Sequence, residues 1–205
     1  MTQYLDGVAH ADVSEILAAC AIDEAAAGFS FSAQVDWLKV MQLAQNPAPA
    51  QYPFYAEMNR SLFTDRILSQ ARMLTYSLLS STPVDANVVP ADKAQADAFA
   101  AQVDPARLAG LSVLKIRFPN ATFQNDSHFL ANSKTMAAIY GADDSTQRLA
   151  LISLSGTDYE AGFTLFQYAG GWKVLLQTAS LSDLPSLGTA QPITAEDFDT
   201  QTSGN

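Results

Sequence analysis

Between Arg148 and Leu181 three runs of strand-forming residues succeed one another almost without pause. They are Arg148–Ser155, Tyr159–Tyr168 and Trp172–Leu181, separated by Gly156-Thr157-Asp158 and Ala169-Gly170-Gly171. Connections this short cannot carry a crossover, so the three strands must be antiparallel neighbours in one sheet. Both turns contain glycine, which supplies the positive φ of tight hairpins.

Leu111 to Phe118 offers a fourth strand, ending at Pro119-Asn120. In the second strand Arg148, Ala150, Ile152 and Leu154 alternate with Leu149, Leu151, Ser153 and Ser155. In the third, Tyr159, Ala161, Phe163 and Leu165 alternate with Glu160, Gly162, Thr164, Phe166 and Tyr168. Large apolar groups on both faces imply a sheet covered in part on each side. Gly162 inside a strand predicts a bulge or bend. Asp126 or Ser127 starts an intervening helix through Phe129, Leu130, Ser133, Met136, Ala137 and Tyr140, with Gly141 as its C′ residue.

The chain before Leu111 obeys a different period. Val13, Ile16, Leu17 and Cys20 form one helical stripe, preceded by a capping-box pattern, Asp12 with Glu15. After Gly28-Phe29-Ser30-Phe31-Ser32, Ser32 caps a helix carrying Trp37, Leu38, Met41 and Ala44. The prolines of Asn46–Pro53 make that stretch an extended connection. Phe54 to about Ser80 is the longest periodic segment: Phe63, Ile67, Ala71, Leu74 and Leu78 make its stripe, widened by Met58, Leu62 and Leu68. Thr82-Pro83 and Val89-Pro90 bound a second connector before a short alanine-rich helix over 92–101. Asp104 before Pro105 is a further helix start, closed by Gly110.

These patterns predict an α+β fold, with an N-terminal helical layer packed on a curved, mostly antiparallel sheet of about four strands. Residues 1–185 are expected to form a single domain, helical over 1–110 and sheet-forming over 111–185, with 186–205 as a polar acidic tail. A chain of 205 residues buries roughly 70% of its unfolded surface, enough for a core without staples.

Composition excludes several function classes. Eleven Lys and Arg against 21 Asp and Glu leave a net charge of −10, which opposes binding to nucleic acid or to an anionic membrane surface. No window approaches 18 apolar residues, so no membrane-spanning segment is expected. The single cysteine, Cys20, rules out an internal disulfide, and its acidic neighbours Asp23 and Glu24 disfavour a thiolate. His10 and His128 have no partner at ligand spacing, and no metal or other cofactor is expected. Asp143-Asp144 and Glu196-Asp197-Phe198-Asp199 lack the alternation of a calcium loop, there is no Gly-x-Ser-x-Gly elbow, and Gly170-Gly171 opens no phosphate-binding helix.

The run Phe166-Gln167-Tyr168-Ala169-Gly170-Gly171-Trp172-Lys173-Val174 resembles the terminal hairpin of bacterial nuclear transport factor two-like, cystatin-like domains. Tyr4–Val13 is similar to their start, and Leu17–Glu24 and Met58–Ser61 are similar to stretches of uncharacterised extracytoplasmic proteins of Gram-positive bacteria. The resemblance implies an exported domain whose curved sheet wraps a helix, and it carries no catalytic residue across. Exported placement requires a leader upstream of Met1; without one the chain would be cytoplasmic.

In enzymes of related curved-sheet folds, an acid abstracts a proton inside the concavity while a tyrosine steadies the oxyanion. Asp36, Asp158, Tyr140, Tyr159, Tyr168 and Trp172 supply the residue types, and the last four are the candidate ligand-binding residues. The leading expectation is a non-enzymatic exported domain that binds a protein or small ligand at the bacterial cell envelope. The alternative is an isomerase or dehydratase using a pocket between sheet and helices. A homodimer burying an exposed sheet face is the third reading.

Overall fold

The computed structural model of the chain describes residues 1–40, 52–80, 90–119, 125–178 and 189–203. The expected connectors over 46–53 and 82–90, the helix beyond Val40, the strand end beyond Thr178 and Leu184-Pro185 fall wholly or mainly outside these residues.

Among the described residues six helices precede the sheet: α1 (Thr2–Ala9), α2 (Val13–Ala18), α3 (Ile22–Gly28), α4 (Phe31–Val40), α5 (Tyr52–Leu79) and α6 (Pro90–Ala100). A 3₁₀ turn (Pro105–Leu108) leads into β1 (Ser112–Arg117), followed by α7 (Ser127–Ile139), β2 (Asp144–Leu154), β3 (Thr157–Tyr168) and β4 (Gly171–Thr178). A short β5 (Gln191–Pro192) and α8 (Ala195–Ser203) follow. The sheet order is β1-β2-β3-β4 with every pair antiparallel, and β5 adds to β3 through Tyr159↔Pro192 and Glu160↔Gln191. The expected helical layer on an antiparallel sheet is what forms.

The local starts and stops follow side-chain chemistry. Asp12 Oδ1 accepts from the backbone N–H of Ser14 (2.8 Å) and Glu15 (3.1 Å), satisfying donors that the first turn of α2 leaves open. The reciprocal half of the capping box does not form: Glu15 meets His10 Nδ1 at 3.3 Å, and the Asp12 N–H donates to Gly7 O. Ser30, not Ser32, caps α4, its Oγ accepting from Ala33 N at 3.2 Å. Asp126 caps α7 by accepting from Phe129 N at 2.7 Å. Gly141 ends that helix with φ +64°, and Ala142 N returns to Ala137 O.

The hairpin between β2 and β3 turns on Ser155 and Gly156, both at positive φ, one residue earlier than the spacing predicts. Gly162 sits in regular register opposite Leu149 and Thr178, so the expected bulge is elsewhere. Register slips instead at Leu114 in β1 and at Leu175 in β4. Extra residues there bend the strands.

The alternation of β2 divides its side chains between two cores. Ala150, Ile152 and Leu154 join Tyr4, Leu5, Val8, Ile67, Leu74 and Phe163 in the main core between helices and sheet. Leu149 and Leu151 pack with Phe198 and Ile193 in a smaller cluster. Phe63, Ile67, Ala71, Leu74 and Leu78 of α5 are all buried as their stripe predicts, but Leu62 is 52% exposed. The expected tail is thus corrected over its described part: residues 189–203 hold a strand and a helix, and Phe198 is fully buried. Lys115 pairs with Asp199, tying α8 to β1.

Candidate functional site

The four aromatic candidates separate. Tyr140, at the end of α7, lies in a closed group of rings, with centroids of Phe166 at 5.1 Å and of Phe29 and Phe63 at 5.8 Å. Burial raises its phenol pKa, and the nearby Arg66 guanidinium, which hydrogen-bonds the hydroxyl, works against that rise. Tyr168 donates its hydroxyl to the Tyr140 carbonyl at 3.0 Å, and its own pKa is pushed up by burial and by Glu24. These two residues do meet, as packing partners. Tyr159 stands nine residues up β3 from Tyr168, roughly 30 Å along an extended strand, opposite Ile152 and Pro192. Trp172 pairs with Gln167, out of phase with Tyr168, and is 44% exposed.

The acidic candidates also disperse. The Asp158 carbonyl accepts from Ile193 N at 3.1 Å in the β5 connection, and Asp36 lies exposed on α4. Asp144 Oδ1 accepts from the adjacent Ser145 N–H. Asp197 exchanges hydrogen bonds with Thr194 at the start of α8, where negative charge suits the helix dipole. Glu160 is the buried acid of the sheet, its pKa raised by desolvation and partly restored by Gln201, which donates at 2.8 Å. Cys20 is 3% exposed and its thiol is pushed up to about 12 by burial. Among the described residues, no three His, Cys, Asp or Glu side chains gather as metal ligands.

Three depressions among the described residues bear on function. One of about 410 Å³ lies among α1, α2, α5, α6 and the 3₁₀ turn, apolar at Val8, Ile16, Leu68 and Leu108, with Arg72 and Asp97 paired at 3.3 Å in its wall. A second, of about 330 Å³, is charged, but its charges answer one another: Arg60 meets Asp23 at 2.6 Å and Lys173 meets Glu24. Burial pushes Glu24 up, and the Lys173 contact overrides it, leaving the carboxyl below its usual value.

The third depression, of about 250 Å³, differs in chemistry. It lies between α7 and β2, with Trp172 at the rim, and is lined by Phe118, Leu130, Lys134, Asp144 and Arg148 among others. Arg148 lies 3.6 Å from the centroid of the Phe118 ring, a cation–π stack, and donates from Nη1 to Thr146 Oγ1 and to Gln147 O. Desolvation lowers its pKa, though a guanidinium stays charged near neutrality. Two cations face one carboxylate in this lining, inside a chain whose net charge is −10. Sequence reasoning placed Arg148 only as a strand residue. Its signal was there: an arginine in phase with Ala150, Ile152 and Leu154, which face the core.

A helical layer seated on an antiparallel meander defines an α+β fold. The cystatin-like protein from Ruminococcus gnavus ATCC 29149 has a solved structure that superimposes on it with a TM-score of 0.59 at 20% identity. The match covers 94% of this chain and 43% of that one, so the chain spans less than half the length of the protein it resembles. At that identity the likeness is one of fold. No family model matches the chain, and no curated protein matches it. No helix of the described residues is long and apolar enough to cross a membrane.

Proposed function

We propose that the chain is a non-enzymatic binding module of the bacterial cell envelope, acting outside the cytoplasm and engaging a protein or small ligand at the Trp172–Arg148 depression. The observation that carries this reading is Trp172 itself, 44% exposed beside a partly desolvated arginine and Leu130, which is also 44% exposed. Indole and guanidinium are the groups that dominate binding hot spots, because they offer large contact area and directed donors together. The cystatin-like fold of a bacterial protein supports the setting. The isomerase or dehydratase reading takes no support from Tyr140 and Tyr168, whose hydroxyls face Arg66 and a backbone carbonyl within packed aromatic rings.

The test is fractionation of the source cell combined with photocrosslinking from position 172. The reading expects the chain outside the cytoplasm and a light-dependent adduct from 172, absent when the same probe replaces Leu62 on the helical face. Confinement to the cytoplasm, or adducts from 62 and none from 172, would overturn it.

A further inference from the structure

The donor geometry of Arg148 narrows what the depression takes. A guanidinium has five N–H donors in a fixed fork. Nη1 serves Thr146 and Gln147, and among the described residues Nε and Nη2 donate to no protein acceptor. Those two nitrogens form the side of the fork that grips two oxygens of a carboxylate or phosphate in parallel. Stacking on Phe118 fixes the plane of the group, so little side-chain freedom is lost when an anion docks. Lys134 of α7 adds a second positive charge to the same lining. Asp144 is the opposing charge, with one oxygen already engaged by the Ser145 N–H. Around these polar groups the walls are flat or apolar: Trp172, Phe118, Phe129 and Leu130.

We infer that this depression binds a small ligand carrying a carboxylate or phosphate on a flat apolar body, its anion on the Nε–Nη2 edge of Arg148 and its body against Trp172 and Leu130. At about 250 Å³ the space falls just under the range of roughly 300–1,000 Å³ usual for drug-sized ligands, which suits a single ring with one anionic group. The inference rests on the binding-module reading and adds the ligand class to it.

The experiment follows the Trp172 indole Nε1–H signal by NMR while benzoate, phenyl phosphate, benzamide and benzylamine are titrated in turn. Benzoate and phenyl phosphate should move the signal saturably, at least tenfold more tightly than benzamide, with benzylamine inert. Arg148→Gln should weaken benzoate at least tenfold, and Arg148→Lys, which keeps charge but loses the fork, should recover only part of that loss. Should Arg148→Gln fail to fold, Lys134→Gln, at an exposed position, should weaken benzoate severalfold in the same Trp172 readout while sparing the melting temperature. Equal binding of benzamide and benzoate, or an Arg148→Gln variant that folds and still binds benzoate as tightly, would overturn the ligand class. A light-dependent adduct from position 172 alongside that result would leave the binding-module reading standing, so the two fail separately.

Discussion

At Gly141 two demands fall on one residue: its φ is +64°, and a Cβ there would lie 2.5 Å from the Gly28 Cα. The ends of α3 and α7 touch backbone to backbone, and Ser30 N seals the contact by donating to Ile139 O at 2.8 Å. Gly141→Ala should cost about 3 kcal/mol or more in urea unfolding, since strain and a backbone clash add. Gly156→Ala, at φ +82° with open space around it, should cost only the conformational share, about 1–2 kcal/mol. The helix end at Gly141 was legible in sequence; its contact with Gly28 was not, because no local pattern reports an approach between residues so far apart. Cys20 is buried as expected, but not on the helical stripe that suggested it: α2 ends at Ala18, Cys20 bridges Val174 instead, and Val13 at the head of the stripe is 51% exposed. With the Cys20 pKa moved from 9.0 to about 12, the native state holds the proton more tightly than the unfolded chain. Its contribution is therefore complete below about pH 9 and lost as pH climbs toward 12, at no more than about 1.4 kcal/mol per unit. Urea midpoints should fall between pH 9 and 10, before the buried tyrosines join, and Cys20→Ala should flatten that fall.

Among the elements, α8 shows where periodicity stops being informative. Its nine residues carry one large apolar side chain, Phe198, too few to draw a stripe, so the segment reads as solvated tail. Tertiary context decides instead: Phe198 fills the cluster of Leu149, Leu151 and Ile193, while Gln201 and Asp199 reach Glu160 and Lys115. Phe198→Ala should destabilise the fold by about 3–5 kcal/mol and release α8 first, seen as amide exchange rising over 195–203 ahead of the β2–β3 ladder. The strands behaved otherwise. Two short glycine turns dictated the β2-β3-β4 meander, whereas the bulges at Leu114 and Leu175 carry no glycine to announce them. The Trp172–Arg148 depression stayed hidden for a related reason: Phe118 follows the end of β1, Arg148 lies inside β2 and Trp172 opens β4, so only the sheet's register brings them together.

For the molecule as a whole, the sheet's two margins are treated differently. β1 faces outward with Leu114 49% and Ile116 39% exposed, beside the charged Lys115 and Arg117, which discourage pairing with another chain. The outer edge of β4 is covered by residues 19–21: Ala21 N donates to Val174 O at 2.8 Å and Val174 N to Ala19 O at 3.0 Å, with Cys20 bridged in parallel. Ala21→Pro removes one donor and pulls the local φ from −87° toward about −65°. It should cost about 1–3 kcal/mol and raise self-association in light scattering as the edge loosens.

That bridge also sets an order of events during synthesis. Residues 19–21 leave the ribosome well before Val174 does, so α1 to α3 wait, as a nascent chain, for a docking ledge made later. Closure between these two distant segments is a long-range step, and it makes this chain a slow folder compared with a helical bundle of equal size.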